Sequence, residues 1–284
     1  VSAPEFVAVG HVTLDRVVGA LRPGGAALYA AVAADRLGLS AGILTSHADD
    51  FPLEAIPPRI EVVSVPSAST TTFTHASDGG RRRLVSRREV AAPLGASDVP
   101  EDWREAPLVL LAPVLGEVDA AVARAFDDAS VAAAAQGWLR SRQPDGVVTP
   151  ATWDEALAVL PGLQALFLSN EDAPGMDDDV QEWFQRVPVG VLTAGRHGAL
   201  LFVNGERYDV QPHRVQEADD TGAGDVFAAA FLVHYRRDGD PWEAAAAAAC
   251  AAALSVERPG LGGIPDAARL AVALDEYRAR LGAG

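Results

Sequence analysis

The chain reads as an α/β domain built on a mostly parallel sheet with a small β lid, and three features carry that expectation. Short apolar runs alternate with helical patterns along the first two thirds of the chain. A glycine pair, Gly24-Gly25, opens the first helical pattern after extended sequence. Asp78-Gly79-Gly80 is a tight-turn signal flanked by extended segments, and it lies between two βα stretches, where a hairpin has to leave the main sheet.

Taken in order, segment 6–10 is a core strand ending in Gly10, and 11–18 continues as a second extended segment rich in β-branched residues. A helix is expected over 26–37, closed by Gly38, then a strand over 41–46. The hairpin occupies 70–74 and 82–86. Alternation resumes with a strand at 108–111, a helix near 118–128, a strand at 130–134, a helix near 153–160, a strand at 165–168, a helix near 180–185 and a strand at 190–193. Segments 200–203 and 207–210 bracket Asn204-Gly205, a second hairpin, and the last third is helical. The alanine run 244–249 follows Asp240-Pro241-Trp242-Glu243, an N-cap with proline at the first helical position and glutamate at the third, so it reads as a packed helix. No repeat and no linker divides the chain, which predicts one domain over 1–284 with a lid contributed by about 12–22 and 70–88.

Composition removes several classes of function. The formal net charge is -16 over 284 residues, which disfavours nucleic acid as a partner despite the local arginines 81, 82, 83, 87 and 88, read as a solvated strand face. No apolar run reaches the roughly 18 residues of a membrane span, and the expected location is cytoplasmic. Cys250 is the one cysteine, and the six histidines are scattered, so neither an internal disulfide nor a structural zinc site is expected. There is no lysine: all 23 basic residues are arginine. A Walker A loop, a protein-kinase lysine and a Schiff base are therefore excluded, and any nucleotide must be held by backbone amides, arginine and metal.

Chemistry concentrates in Asp219-Asp220-Thr221-Gly222-Ala223-Gly224-Asp225, directly before an apolar helical run. Small residues allow close backbone approach to a ligand, and a helix start offers amide donors and a positive dipole end, which together make an anion site. Asp225 at the end of such a loop would accept a proton from an attacking hydroxyl while the amides stabilise the transferred group. This stretch, continued by Phe227, resembles the C-terminal signature of the ribokinase-like (phosphofructokinase-B) carbohydrate kinases. The resemblance implies a three-layer α/β/α fold and an ATP-dependent transfer of the γ-phosphoryl group to a hydroxyl of a small sugar, polyol or nucleoside, with Mg2+. Asp225 would be the base, and the amides of Gly222, Ala223 and Gly224 the anion hole.

The similarity extends along the chain. Asp15 matches the family's substrate-binding aspartate, and Gly24-Gly25 its paired glycines. Thr193-Ala194-Gly195-Arg196-His197-Gly198 resembles the nucleotide-binding strand and turn; Arg196 is either a phosphate contact or a solvent-facing turn residue. Asn170, Thr193, Gly195 and Thr221 would line the ATP site, with segment 247–255, including Ser255, and Gly260 and Gly263 around adenine. Three departures stand out. Ala173 replaces the glutamate that organises magnesium, leaving Glu171 or Asp172 for that role. Tyr29 stands where ribose-preferring members carry asparagine. Gln136 and Arg140, in Gln136-Gly137-Trp138-Leu139-Arg140, follow a strand in which Ala134 or Ala135 replaces an aspartate. Together with Tyr29 they are similar to a branch containing inositol-type kinases, and both are expected to touch substrate. The alternative is a non-catalytic nucleotide or sugar sensor. A homodimer through the lid is also expected.

Overall fold

The structure is a computed structural model that describes residues 3–17, 20–78, 81–86 and 90–282. The first strand, β1 (Phe6–Val9), is buried on both faces, as an all-apolar run in the middle of a parallel sheet must be. Beyond it come β2 (Thr13–Val17), β3 (Ala20–Gly24), α1 (Ala26–Arg36), β4 (Ala41–His47) and β5 (Glu61–Pro66). β6 (Thr72–Asp78) and β7 (Arg81–Val85) form the first expected hairpin, with Asp78 opposite Arg81. The Gly79-Gly80 turn, Arg87, Arg88 and the side chains of 81–83 lie outside the described residues, so the arginine run does too.

The second half contributes β8 (Leu108–Leu111), β9 (Ser130–Ala134), β10 (Arg140–Arg142), β11 (Val148–Pro150), α2 (Ala156–Val159), β12 (Ala165–Ser169), α3 (Asp177–Phe184), β13 (Val189–Thr193), β14 (Ala199–Val203) and β15 (Glu206–Val210). α4 (Ala223–Asp238), α5 (Pro241–Ser255) and α6 (Ala267–Gly282) complete it. Nine strands form the main sheet in the order β15-β14-β13-β12-β9-β8-β1-β4-β5, parallel except for the β14–β15 edge. That edge hairpin turns at Asn204 and Gly205, both with positive φ, as a two-residue turn between antiparallel strands requires. β3-β2-β6-β7 form a separate four-stranded sheet.

Alternation along the central strands sorts the core into two layers. Phe6 and Ala8 of β1, with Leu108 and Leu110 of β8, face the helices α1, α4, α5 and α6. Val7, Val9, Val109 and Leu111 face the opposite side, against Trp103, α2, α3 and short 3-10 turns. The result is the expected three-layer α/β/α arrangement. Two expected helices are corrected. Segment 118–128 holds only a five-residue 3-10 turn, Ala120–Arg124, because Asp127 N–H donates to Arg104 O and Asp128 turns to positive φ. Segment 153–160 yields only the single turn α2 before Pro161.

Strand order reverses between β1 and β8, which places a crevice beyond their carboxyl ends. Gly10 stands at that point: a Cβ there would lie 2.1 Å from Ala112 O, so only glycine lets the two strand ends converge. The segments that follow β1, β8, β9 and β12 all emerge on this side and carry His11, Glu117, Gln136, Arg140 and Asp172.

Candidate active site

The Asp219 to Asp225 loop is anchored before it reaches the helix. Ala218 and Asp219 both donate their N–H to Val256 O, at the end of α5, and Thr221 N–H donates to Asp219 Oδ1 at 3.1 Å. Gly222 caps α4 in the left-handed region, φ 77, and a Cβ there would fall 2.2 Å from the ring of Tyr29. Tyr29, in α1, is thus a buried platform beneath the loop rather than an open pocket wall. Its phenol is pushed well above the usual tyrosine range, first by burial and then by the carboxylates of Asp219, Asp15 and Asp225, with Arg22 opposing. Of the amides expected to form the anion hole, Ala223 N–H already donates to Asp220 O at 3.2 Å. Gly224 faces open space, and the helix start adds donors without intrahelical acceptors.

Asp225 sits in the first turn of α4, half-buried. Its carboxyl is pushed up to about 7, chiefly by burial and next by the like charge of Asp172, while Arg140 pulls it down. A carboxylate of that strength can accept a proton near neutral pH. Arg140 enters from β10 and is the hub of the site: burial lowers its pKa, while Asp172, Asp225, Glu117 and Asp15 all raise it. Charges from β2, the turn after β8, the turn after β12 and the start of α4 therefore all act on one guanidinium.

Asp15 is held by the glycine pair. Its Oδ2 occupies the space a Cβ on Gly24 would need, 2.2 Å away, and Thr13 Oγ1 donates to its Oδ1 at 3.1 Å. Gly25 has φ 102 and packs on His11 O, which seats the start of α1 against the end of β1. Arg22 of β3 reaches across to Asp219, 3.9 Å from Nη1 to Oδ2, and so links the small sheet to the signature loop.

Among the expected metal-organising residues, Asp172 is oriented into the site and Glu171 is exposed. Asp172 Oδ1 accepts from Gln136 Nε2 at 2.9 Å, and Oδ2 from Ser169 N–H at 2.8 Å. Ala173 is buried in the core beside Val180 and Trp183, so a glutamate there would lie in apolar surroundings. Gln136 belongs to a 3-10 turn fixed by Gly137, whose Cβ would meet Pro113 at 2.3 Å, and by Trp138, whose indole donates to Val118 O at 2.8 Å and stacks on Trp153.

Of the residues expected to line a nucleotide, Thr193 ends β13 and its hydroxyl donates to Leu168 O at 3.3 Å, while Asn170, Gly195 and Arg196 are exposed. Ser255 is buried and its hydroxyl donates to Ala252 O, so it caps its own helix. Gly263 packs against that helix end, where a Cβ would lie 1.9 Å from Ser255 O. Two clefts of about 520 and 540 Å³, lined by residues 48–50 and 66–69, 90–93 and Arg142, lie beside the small sheet and away from the signature loop. Sequence reasoning missed Glu117, a buried carboxylate that accepts the amides of His11, Val114 and Leu115. Nothing local announces it, since a Gly-Glu-Val turn is ordinary.

Known proteins share this fold. The family model described as pfkB family carbohydrate kinase matches residues 18–267. A protein of Halopiger xanaduensis named ATP-dependent ribose-1-phosphate kinase is 27% identical over 266 residues, covering 89% of this chain and 86% of its own. The cytidine kinase of Thermococcus kodakarensis is 25% identical over 260 residues, 84% of this chain and 91% of its own. Among solved structures, a pyrophosphate-dependent kinase in the ribokinase family, complexed with a pyrophosphate analog and myo-inositol, superposes with a TM-score of 0.77 at 20% identity over 94% of this chain and 99% of its own. Ribokinase from Thermotoga maritima gives 0.73 at 19% identity, over 95% and 99%. Its three-layer fold and this match over most of its length agree: the chain belongs to the pfkB family of carbohydrate kinases and is a phosphotransferase with an alcohol group as acceptor.

Proposed function

We propose that the chain transfers the γ-phosphoryl group of ATP to a hydroxyl of a small sugar, polyol or nucleoside, with Asp225 as the general base. The observation that carries this reading is the start of α4, where Gly222 in the left-handed region and unobstructed Gly224 lead directly into Asp225, whose charge, like that of Asp15, acts on Arg140. Asp15 and Arg140 orient the acceptor, Asp225 takes the proton from its attacking oxygen, and the amides around Gly222 to Gly224 receive the charge of the moving phosphoryl group. Tyr29 and Gly222 hold that loop in shape.

The residues suit a magnesium ion held mainly by water and donor phosphates: Asp172 and Asp225 repel each other in a half-buried site, a charge arrangement that a divalent cation relieves. Asp172, with exposed Glu171 behind it, would hold it, and Mg2+ would neutralise phosphate charge when bound. The small sheet β3-β2-β6-β7 acts as the lid that keeps water from competing as acceptor.

Release of ADP, measured with pentoses, hexoses, inositols and nucleosides in turn, tests the proposal, with pyrophosphate as a second donor arm. ADP release that depends on one acceptor class supports it. Phosphate release from pyrophosphate alone would replace the donor, and no transfer from either donor would refute the reading.

A further inference from the structure

Three of the four chain crossings between the main sheet and the small sheet meet at one side chain. His11 is fully buried in the first, between β1 and β2. Its Nδ1 lies 2.9 Å from Thr71 Oγ1, in the crossing between β5 and β6. Its Nε2 lies 2.8 Å from Ala92 O, in the crossing between β7 and β8. A carbonyl only accepts, so in the neutral ring Nε2 carries the proton and Nδ1 accepts from the Thr71 hydroxyl. The same hydroxyl oxygen accepts Ala91 N–H at 3.0 Å, and Thr71 O accepts Leu14 N–H at 2.9 Å. On its main chain, His11 N–H donates to Glu117 Oε1 at 3.0 Å, and Glu117 is one of the carboxylates that face Arg140. The ring thus has a partner at each nitrogen, each on a segment far away in sequence.

We infer that His11 is a positioning residue for the acceptor: with Thr71 it pins the crossings so that β2 holds the Asp15 carboxylate over Gly24 and facing Arg140. The inference rests on the acceptor role proposed for Asp15. Three residues separate His11 from Asp15, and β2 is fastened to the neighbouring crossing through Leu14 N–H, so loss of the pin tilts the small sheet relative to the main one. The donor half stays in place, because Thr193 and the Gly222 to Gly224 loop are anchored in the main sheet and α4.

Thr71→Val tests this without a change of volume, since it removes the one hydroxyl that ties His11 to two crossings; Thr71→Ser restores the hydroxyl. Two readouts are made on the full chain: amide hydrogen exchange, and KM and kcat with the acceptor found for the wild type. In Thr71→Val, exchange at Leu14 and Ala91 accelerates by about tenfold while β1 and β8 keep their protection, the acceptor KM rises about tenfold and kcat stays within about twofold. Thr71→Ser returns both readouts to wild-type values. Unchanged exchange at Leu14 and Ala91 overturns the pin. Acceleration that spreads through β1, β4 and β8, with KM and kcat both altered, shows general loosening and overturns positioning. A wild type that phosphorylates no acceptor refutes the acceptor role instead, and the exchange readout then still decides whether the pin exists.

Discussion

Burial sets the acidity of Asp225 first, and two neighbours of opposite sign, Asp172 and Arg140, adjust it. In the role proposed for it the carboxyl must be ionised to act as base, so kcat/KM is expected to rise through pH about 7 and level off above it. Asp172→Asn removes the like charge and moves that acid limb to lower pH; Arg140→Gln removes the opposing charge and moves it higher. Stability follows the same group in the other direction. Because the folded-state value is raised above the ordinary 3.8, its contribution is fully present below pH about 4 and is lost as pH rises through about 7. Asp225→Asn is therefore more stable than the wild type at pH 8, by at most about 4 kcal/mol, as thermal melts at pH 4 and pH 8 will show. Gly222→Ala is expected to do the reverse. It puts a side chain at φ 77 and against the Tyr29 ring, so melting temperature and activity fall together. Asp225 and its glycines were legible because the whole loop is contiguous in sequence. Glu117 and His11 were not, because the bond between them spans 106 residues and the His11 ring is held by Thr71, 60 residues away.

At the scale of elements, local signals worked where a cap or turn sits in one short stretch. Asp240 accepts the amides of Trp242 and Glu243, as the Asp-Pro-Trp-Glu sequence implies. Asp240→Ala is expected to cost about 1 kcal/mol in a denaturant titration, with kcat unchanged. Gly25 and Gly38, both at positive φ, bound α1 as read. Signals failed where a partner decides the outcome. β5 lacks a distinctive pattern and exists as a strand because it pairs in parallel along β4; β10 and β11 are three residues each and hold only by pairing with one another. The missing helix after β8 has the same cause, since its residues bond to the Arg104 loop instead of continuing the turn.

For the molecule as a whole, the parallel sheet brings the carboxyl ends of β1, β8, β9 and β12 to one side, and the reversal of strand order opens the crevice where Asp15, Arg140, Asp172 and Asp225 meet. Both faces of the central strands β1, β8, β9 and β12 are covered by the two helical layers, so we propose that the chain unfolds as one unit. Trp103, Trp138, Trp153 and Trp183 all lie in one layer, whereas α1, α4, α5 and α6 lie in the other. Tryptophan fluorescence and far-ultraviolet circular dichroism are therefore expected to report coincident transitions in denaturant. In the proposed reaction the Asp225 carboxylate takes a proton from an acceptor oxygen beside the amide loop. Calorimetric titration of ATP into Asp225→Asn, paired with its acceptor-dependent ADP release, tests it most directly. The expected result is ATP affinity close to wild type with turnover reduced at least about 100-fold; turnover near the wild-type rate would contradict it.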